Sequence, residues 1–175
     1  MKKSQPGSRA SARIAAVQAL YEMDMTDAAA DPILNEFMAA RWHKAGHEET
    51  ETDGSAVVQE LPPFDDELLR EIVNGVAEHT AVLDQHIGGA LTGAWTVERL
   101  EVLIRVILRA GVYELLHKID VPVRVVINEY MGVAHAFFSG TEPNLINGVM
   151  DKLAREIRVH EVGDKSKSGA ETASS

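Results

Sequence analysis

Apolar residues recur at the three-to-four-residue spacing of an α-helix along most of this chain, whereas the alternation typical of a β-strand is scarce. Residues 8–25 form a first predicted helix. A second is predicted to begin with Asp31 as its N-cap and Pro32 as its first residue, because proline has no N–H to leave unpaired there. The one β-rich run, VPVRVVIN at 121–128, leads directly into renewed helical spacing. The pattern therefore predicts an all-α fold.

The second half of the chain carries the strongest apolar patterns. Five apolar residues share one face of a long predicted helix: Leu68, Ile72, Val76, Leu83 and Ile87. Gly88 and Gly89 are expected to end that helix, and Thr96 is expected to cap the next. The interior of this next helix, LEVLIRVILRAGVYELL at 100–116, is apolar nearly all round. We therefore expect it to lie at the centre of the fold.

Two further helices are predicted at about 123–138 and 144–158, which gives six or seven in all. Such a set predicts two small bundles that share a long central helix. We expect one all-helical domain at 9–160, with bundles at about 9–92 and 93–160. Three other segments are predicted to be irregular: a flexible basic arm at 1–8, an acidic, turn-rich loop at 46–63 and a disordered tail at 161–175.

Composition narrows the class of protein. The 175 residues are 45% hydrophobic, which is enough to build a core. The chain has no cysteine, so disulfides and thiolate metal sites are excluded and a reducing compartment is favoured. The N-terminus lacks the apolar stretch of a signal peptide, and no apolar run is long enough to span a membrane. We expect a soluble, cytoplasmic protein.

Charge is distributed unevenly. The net charge of −10 argues against a chain that binds nucleic acid on its own, because phosphate affinity comes mainly from Lys and Arg. However, residues 1–13 contain Lys2, Lys3, Arg9 and Arg13 and no acid, so they carry +4. Basic termini are also common as solvated segments, and charge alone leaves both readings open.

The first predicted helix contains candidates for RNA contact. At about 100° per residue, Arg9 and Arg13 continue the apolar stripe that includes Val17, while Gln18 lies on the opposite, polar face. Single-stranded RNA is usually held by cations along its backbone and by planar or amide side chains against its bases. Gln18 and Tyr21 have the required chemistry. The alternative is that Tyr21, on the apolar side with Val17, packs in the core.

No catalytic arrangement is evident. His43 and His47 have the i, i+4 spacing of a helical metal pair but no HExxH pattern, and solvated histidines explain them better. His79 and His86 stand seven residues apart, where partial burial or exposure explains them as well as catalysis. The glycines near residue 90 lack the Lys-Ser/Thr of a phosphate-binding loop. We therefore expect no enzyme, no metal site and no cofactor.

Five motifs, in this order, are similar to one family: ARIAAVQALYEMD, ILRAGVYELL, DVPVRVVINE, AHAFF and INGVMDKLAREIR. Together they closely resemble the bacterial transcription antitermination factor NusB family over residues 9–158. The resemblance implies an all-α, NusB-like fold of two packed three-helix bundles. It also implies a non-enzymatic protein that binds the single-stranded boxA element of ribosomal RNA leader transcripts together with ribosomal protein S10. This pair would join an RNA polymerase antitermination complex.

The resemblance also implies site residues. Those for RNA binding are Arg9, Arg13, Gln18 and Tyr21, and we add Lys2 and Lys3, which could contribute from the flexible arm. Those for S10 binding are Trp95, Glu98, Leu103 and Ile104. Ala10 and Ser11 occupy positions that are often basic in the family, and Arg109 could contact RNA or form an internal salt bridge.

An alternative is a NusB-like interaction scaffold or homodimer with weak or no RNA binding. The fold also resembles the N-terminal region of some ribosomal RNA cytosine methyltransferases, but the chain has no predicted βαβ methyltransferase region.

Overall fold

The computed structural model describes residues 8–46 and 64–163, and within these ranges every regular element is helical. The seven α-helices found there are α1 (Ser8–Thr26), α2 (Ala30–Gly46), α3 (Asp66–Ala90), α4 (Val102–His117), α5 (Val123–Phe137), α6 (Glu142–Ile157) and α7 (Val159–Gly163). A short 3₁₀ turn, Val97–Arg99, precedes α4. The predicted all-α class is confirmed. None of the helices in this part of the chain combines the length and hydropathy needed to cross a bilayer.

The chain divides by its internal contacts into two units, Met1–Val73 and Asn74–Ser175. The division lies inside α3, whereas the predicted bundles meet at residues 92 and 93. The reason is that the later turns of α3 pack on α4. For example, Arg109 of α4 forms an ion pair with Asp84 of α3. The predicted loop at 46–63 lies almost entirely outside the described residues, as do the arm and most of the tail.

In the first unit, α1 contacts α2, and much of the buried side of α1 consists of small side chains. Ala12, Ala16 and Ala19 are completely buried, and alanines allow two helices to approach closely. The start of α1 is also joined to the residue before α3, because the backbone N–H of Asp65 donates to the carbonyl of Ser8 at 3.0 Å. Asp65 in turn caps α3, since its Oδ1 accepts from the N–H of Leu68 at 3.0 Å.

In the second unit, α4 contacts both α5 and α6 and is buried along most of its length, as its apolar sequence predicts. Two glycines leave room for large side chains from neighbouring helices. A Cβ at Gly75 of α3 would overlap the ring of Tyr113, and a Cβ at Gly111 would lie 2.7 Å from the Sδ of Met150. The ring of Tyr113 therefore occupies space that any larger residue at position 75 would take.

Arg158 lies directly after α6, and its buried side chain binds the C-terminal end of α4. Its guanidinium donates to four backbone carbonyls, those of Glu114, Leu115, Lys118 and Val121, at 2.5–3.1 Å. It also forms an ion pair with Glu161 at 3.0 Å. The second carboxylate oxygen of Glu161 accepts the first N–H of α5, that of Val123, at 3.0 Å. One arginine and one glutamate thus satisfy the open ends of two helices.

Several predicted boundaries shift. Gly88 and Gly89 lie inside α3, which continues to Ala90, and the chain turns instead at Gly93, where φ is +69°, a conformation that favours glycine. Thr96 precedes the 3₁₀ turn rather than α4.

Other helix starts lie earlier than predicted. Asp31 lies in the first turn of α2 rather than at its cap. Helix α6 begins two residues earlier than predicted, with Pro143 in its first turn. Helix α7 has no counterpart among the predicted elements.

We expect Arg158→Lys to lower the free energy of unfolding by at least about 1–3 kcal/mol, because an ammonium cannot reach all four carbonyls and leaves buried acceptors unsatisfied. Urea denaturation measures this loss. Arg155→Lys is the matched control: Arg155 is exposed and pairs with Asp151 one turn away, so that change should cost less than about 0.5 kcal/mol. Equal losses in the two variants would contradict the role assigned to Arg158.

Glu161 should make stability depend on pH. The Val123 N–H first, and Arg158 next, hold the pKa of Glu161 below its usual value of 4.5. The folded state therefore favours the ionised carboxylate. Its contribution is fully present above the unfolded pKa and is lost as the pH falls through the folded pKa.

Urea unfolding between about pH 3 and pH 6 tests this dependence. Glu161→Gln should be less stable than the wild type at pH 6, and the difference should shrink toward pH 3. Glu156→Gln, an exposed change on α6, should keep the wild-type pH dependence. A pH-independent difference for Glu161→Gln would contradict the prediction.

Candidate nucleic-acid and partner interface

Helix α1 presents two of the predicted RNA residues on one exposed face. Gln18 is exposed, and Tyr21, three residues later, is 40% exposed. The alternative interpretation of Tyr21 as a core residue is therefore wrong. Met25, a further turn along, is 58% exposed and was not predicted as part of this face. Spacings of three and four residues align these side chains, so the face offers an amide, a phenol ring and a thioether.

The packed side of α1 explains the error about Tyr21. Ile14 and Tyr21 have large apolar side chains, so a prediction from hydropathy places the buried side of α1 near them. In the structure, however, Ile14 is only half-buried. The side that packs is centred instead on alanines and Leu20. Hydropathy weights alanine weakly, although alanine is what a close helix contact requires.

Arg13 does not fit its predicted role as a direct RNA contact. It is 2% exposed and interacts within the protein. Helical spacing places it on the packed side with Val17 and Leu20. A buried guanidinium is costly unless it is partnered, so Arg13 is a structural residue of α1 in this conformation.

Arg9 is exposed in the first turn of α1, but α1 does not bring it beside Gln18. Nine residues separate the two, which corresponds to roughly 13 Å along the axis and about half a turn around it. Lys2 and Lys3 lie outside the described residues. The structure therefore brings together Gln18 and Tyr21, and it leaves Arg9 at a separate point of α1.

The predicted partner residues lie in and after the segment before α4. Trp95 is 53% exposed. It belongs to a loop whose backbone carbonyls accept hydrogen bonds from two arginines. Arg99 donates to the carbonyl of Ala94 at 3.0 Å, and Arg105 donates to the carbonyl of Val97 at 3.5 Å. A large aromatic side chain is thus exposed on a segment with fixed geometry.

Glu98 is a fixed anion in the same segment. Hydrogen bonds from its own backbone N–H and from the Thr96 hydroxyl lower the pKa of Glu98, and the charge of Arg105 acts in the same direction. Leu103 is half-buried. Ile104 is 7% exposed, because α4 turns this position toward the core, so it does not fit its predicted role as a surface contact.

Arg109 forms an internal ion pair, one of the two roles predicted for it. Its Nε and Nη2 donate to the two carboxylate oxygens of Asp84, each at 2.7 Å. A bidentate pair of this kind joins α3 to α4 with defined geometry.

Comparison with known proteins agrees with the fold. Residues 10–155 match the family model described as NusB family. Two proteins called "Transcription antitermination protein NusB" are similar in sequence. The one from Rhizobium rhizogenes is 41% identical over 150 residues, which cover 86% of this chain and 88% of the relative. The one from Caulobacter vibrioides is 39% identical, covering 86% of this chain and 94% of the relative.

Two solved structures are similar as well. NusB from T. maritima is 26% identical with a TM-score of 0.67, and the match covers 94% of this chain and 99% of that one. A NusB solved with NusE and double-stranded RNA is 20% identical with a TM-score of 0.65, and the match covers 87% and 99%. At 20% identity, the structure of the complex supports the similarity of the fold alone.

The different burial of Trp95 and Ile104 predicts different effects on stability. Ile104→Ala should lower the free energy of unfolding by about 2–5 kcal/mol, because it removes buried methyl groups and leaves a cavity. Trp95→Ala should cost less than about 1 kcal/mol, since half of that side chain is already in water. Denaturant unfolding of both variants measures this contrast, and a larger loss for Trp95→Ala would contradict the assigned exposures.

Proposed function

Because the chain belongs to the NusB family, we propose that it is a non-enzymatic transcription antitermination factor that binds RNA together with ribosomal protein S10. The proposed RNA is the boxA element of ribosomal RNA leader transcripts. The proposed setting is an antitermination complex on RNA polymerase in the cytoplasm. NusE, the S10 protein, is the partner of a solved NusB in a complex that also contains RNA.

The observation that carries the RNA proposal is the exposure of Tyr21 beside Gln18 on α1. The exposed phenol ring offers an aromatic surface on which a base can stack. Stacking of one base on an aromatic ring contributes about 1–3 kcal/mol. The Gln18 amide, one turn away, can donate and accept hydrogen bonds at a base edge.

Charge explains why a partner is part of the proposal. The chain carries −10 overall, so it repels RNA at long range, and Lys2, Lys3 and Arg9 can engage only a few phosphates. An acidic adapter and a basic ribosomal protein attract each other, which speeds their association. This chain can make only a few phosphate contacts, and the second protein would supply more of them.

For the partner surface we propose Trp95 as the anchor and Glu98 as the charged neighbour, with Leu103 at the margin. Tryptophan is over-represented among residues that dominate binding energy. The hydrogen bonds that hold the loop around Trp95 reduce the ordering cost of binding. Ile104 and Arg13 then act indirectly, Ile104 by supporting α4 and Arg13 by supporting α1.

A second candidate is an interaction scaffold or homodimer with weak or no RNA binding. The exposure of Trp95, Tyr21 and Met25 favours it, because exposed large apolar side chains also serve contacts between copies of a protein. The two candidates differ in what they bind, and the same titration separates them.

The titration measures binding of a boxA-containing RNA to the full chain, with and without S10, at two salt concentrations. We expect S10 to tighten RNA binding. Tyr21→Ala should weaken RNA binding by roughly 5- to 150-fold, the equivalent of about 1–3 kcal/mol, whereas Tyr21→Phe keeps the ring and should bind nearly as the wild type does. Arg9→Ala should reduce the salt slope by about one, and Arg124→Ala, an exposed cation on α5, should leave it unchanged.

Trp95→Ala completes the design, because it should weaken S10 binding without changing RNA binding in the absence of S10. If S10 leaves RNA affinity unchanged, or if Tyr21→Ala binds RNA as the wild type does, the adapter proposal is wrong. Self-association without binding of RNA or S10 would instead support the scaffold.

A further inference from the structure

The second unit brings together two imidazoles from different helices. His79 lies on α3 and His117 is the last residue of α4, and their ring centroids are 4.7 Å apart with an interplanar angle of 47°. Two imidazole nitrogens that share one ion at the usual distance of about 2.0–2.1 Å place their ring centroids roughly 4.5–5.2 Å apart. The observed separation lies within this range.

The tautomer of the His79 ring suits a metal ligand. Its Nδ1 lies 2.8 Å from the carbonyl oxygen of Gly75. A carbonyl can only accept, so Nδ1 carries the hydrogen and the lone pair of the neutral ring lies on Nε2. An imidazole that donates from one nitrogen to a backbone carbonyl and binds the ion through the other is the usual arrangement in metal sites.

The His117 ring is oriented by stacking. It lies on the ring of Tyr113 with centroids 4.8 Å apart and an interplanar angle of 29°. Tyr113 is itself fixed, because its ring fills the space beside Gly75. His117 is also exposed, so an ion has access from solvent. Desolvation, followed by the charge of His79, lowers the pKa of His117.

We propose that His79 and His117 together bind one divalent ion of the group that prefers imidazole ligands, Zn²⁺, Ni²⁺ or Cu²⁺. No cluster of three or more His, Cys, Asp or Glu side chains suited to a metal occurs in residues 8–46 and 64–163. In the proposed site the ion takes these two imidazoles as ligands and completes its coordination with water. Bound in this way, it links α3 to the end of α4.

The test is a calorimetric titration of the full chain with Zn²⁺ and Ni²⁺, together with the melting temperature at each ion concentration. We expect saturable binding and a rise in melting temperature, because an ion that binds only the folded state stabilises it by mass action. His79→Ala and His117→Ala should each weaken binding at this site by at least about tenfold, the smallest loss expected even for an outer-shell partner. Mg²⁺, which prefers oxygen ligands, should have no effect.

Two controls identify the site. His86→Ala removes an imidazole from the same helix, two turns away, and should bind as the wild type does. The double variant His43→Ala/His47→Ala removes the other pair of histidines, which have i, i+4 spacing at the end of α2 and just after it. This variant should still bind one ion per chain. If binding is lost in this double variant and survives in His79→Ala and His117→Ala, the proposal is wrong.

A second measurement does not depend on the folding of any variant. In the wild-type chain, substoichiometric Cu²⁺ should broaden the NMR signals of residues around His79 and His117 before those around His86 and His135. Broadening that begins elsewhere, with no change at His79 and His117, would also overturn the proposal.

Discussion

The hydrogen bonds of Arg158 are the interaction on which the second unit depends. A helix leaves its last carbonyls without N–H donors, as at the end of α4. The buried guanidinium of Arg158 supplies them to four carbonyls at once, and its positive charge also suits the C-terminal end of a helix dipole. Glu161 balances this charge and accepts the first N–H of α5. The end of α4, the start of α5 and the exit from α6 are therefore fixed by a single pair of charged residues.

The position of α4 then determines the surroundings of several other residues. Because α4 approaches α3 closely at Gly75, the ring of Tyr113 can support His117, and Arg109 can reach Asp84 with both of its donors. At the other end of α4, Arg105 binds the carbonyl of Val97. The segment that carries Trp95 is thus tied to the same helix. A buried apolar helix consequently positions polar and aromatic groups at both of its ends.

The sequence is sufficient to predict much of this arrangement, and its failures have physical causes. Helical spacing predicts the α5 bounds to within one residue, and the apolar run at 100–116 correctly predicts a buried α4. Spacing cannot predict which glycine turns the chain: Gly88 and Gly89 remain helical, because only tertiary packing decides where α3 ends. Helical spacing also cannot predict that His79 lies beside His117, because the two are 38 positions apart in the sequence and meet only when α3 packs on α4. Arg158 lies in a motif that the family resemblance contains, but nothing in its spacing indicates four carbonyl partners.

The errors on α1 share one cause, and that cause bears on function. Hydropathy assigns the core to the largest apolar side chains, whereas α1 packs through Ala12, Ala16 and Ala19. Alanines contribute less burial energy than leucines would, but they allow neighbouring elements to lie close. Large side chains on the opposite face then have no core to enter, and Tyr21 and Met25 remain in solvent. A helix that packs through its small residues therefore retains its aromatic and polar side chains for binding. The same geometry buries Arg13, so the first turns of α1 expose fewer cations than the sequence suggests, which is consistent with the proposal of a basic partner.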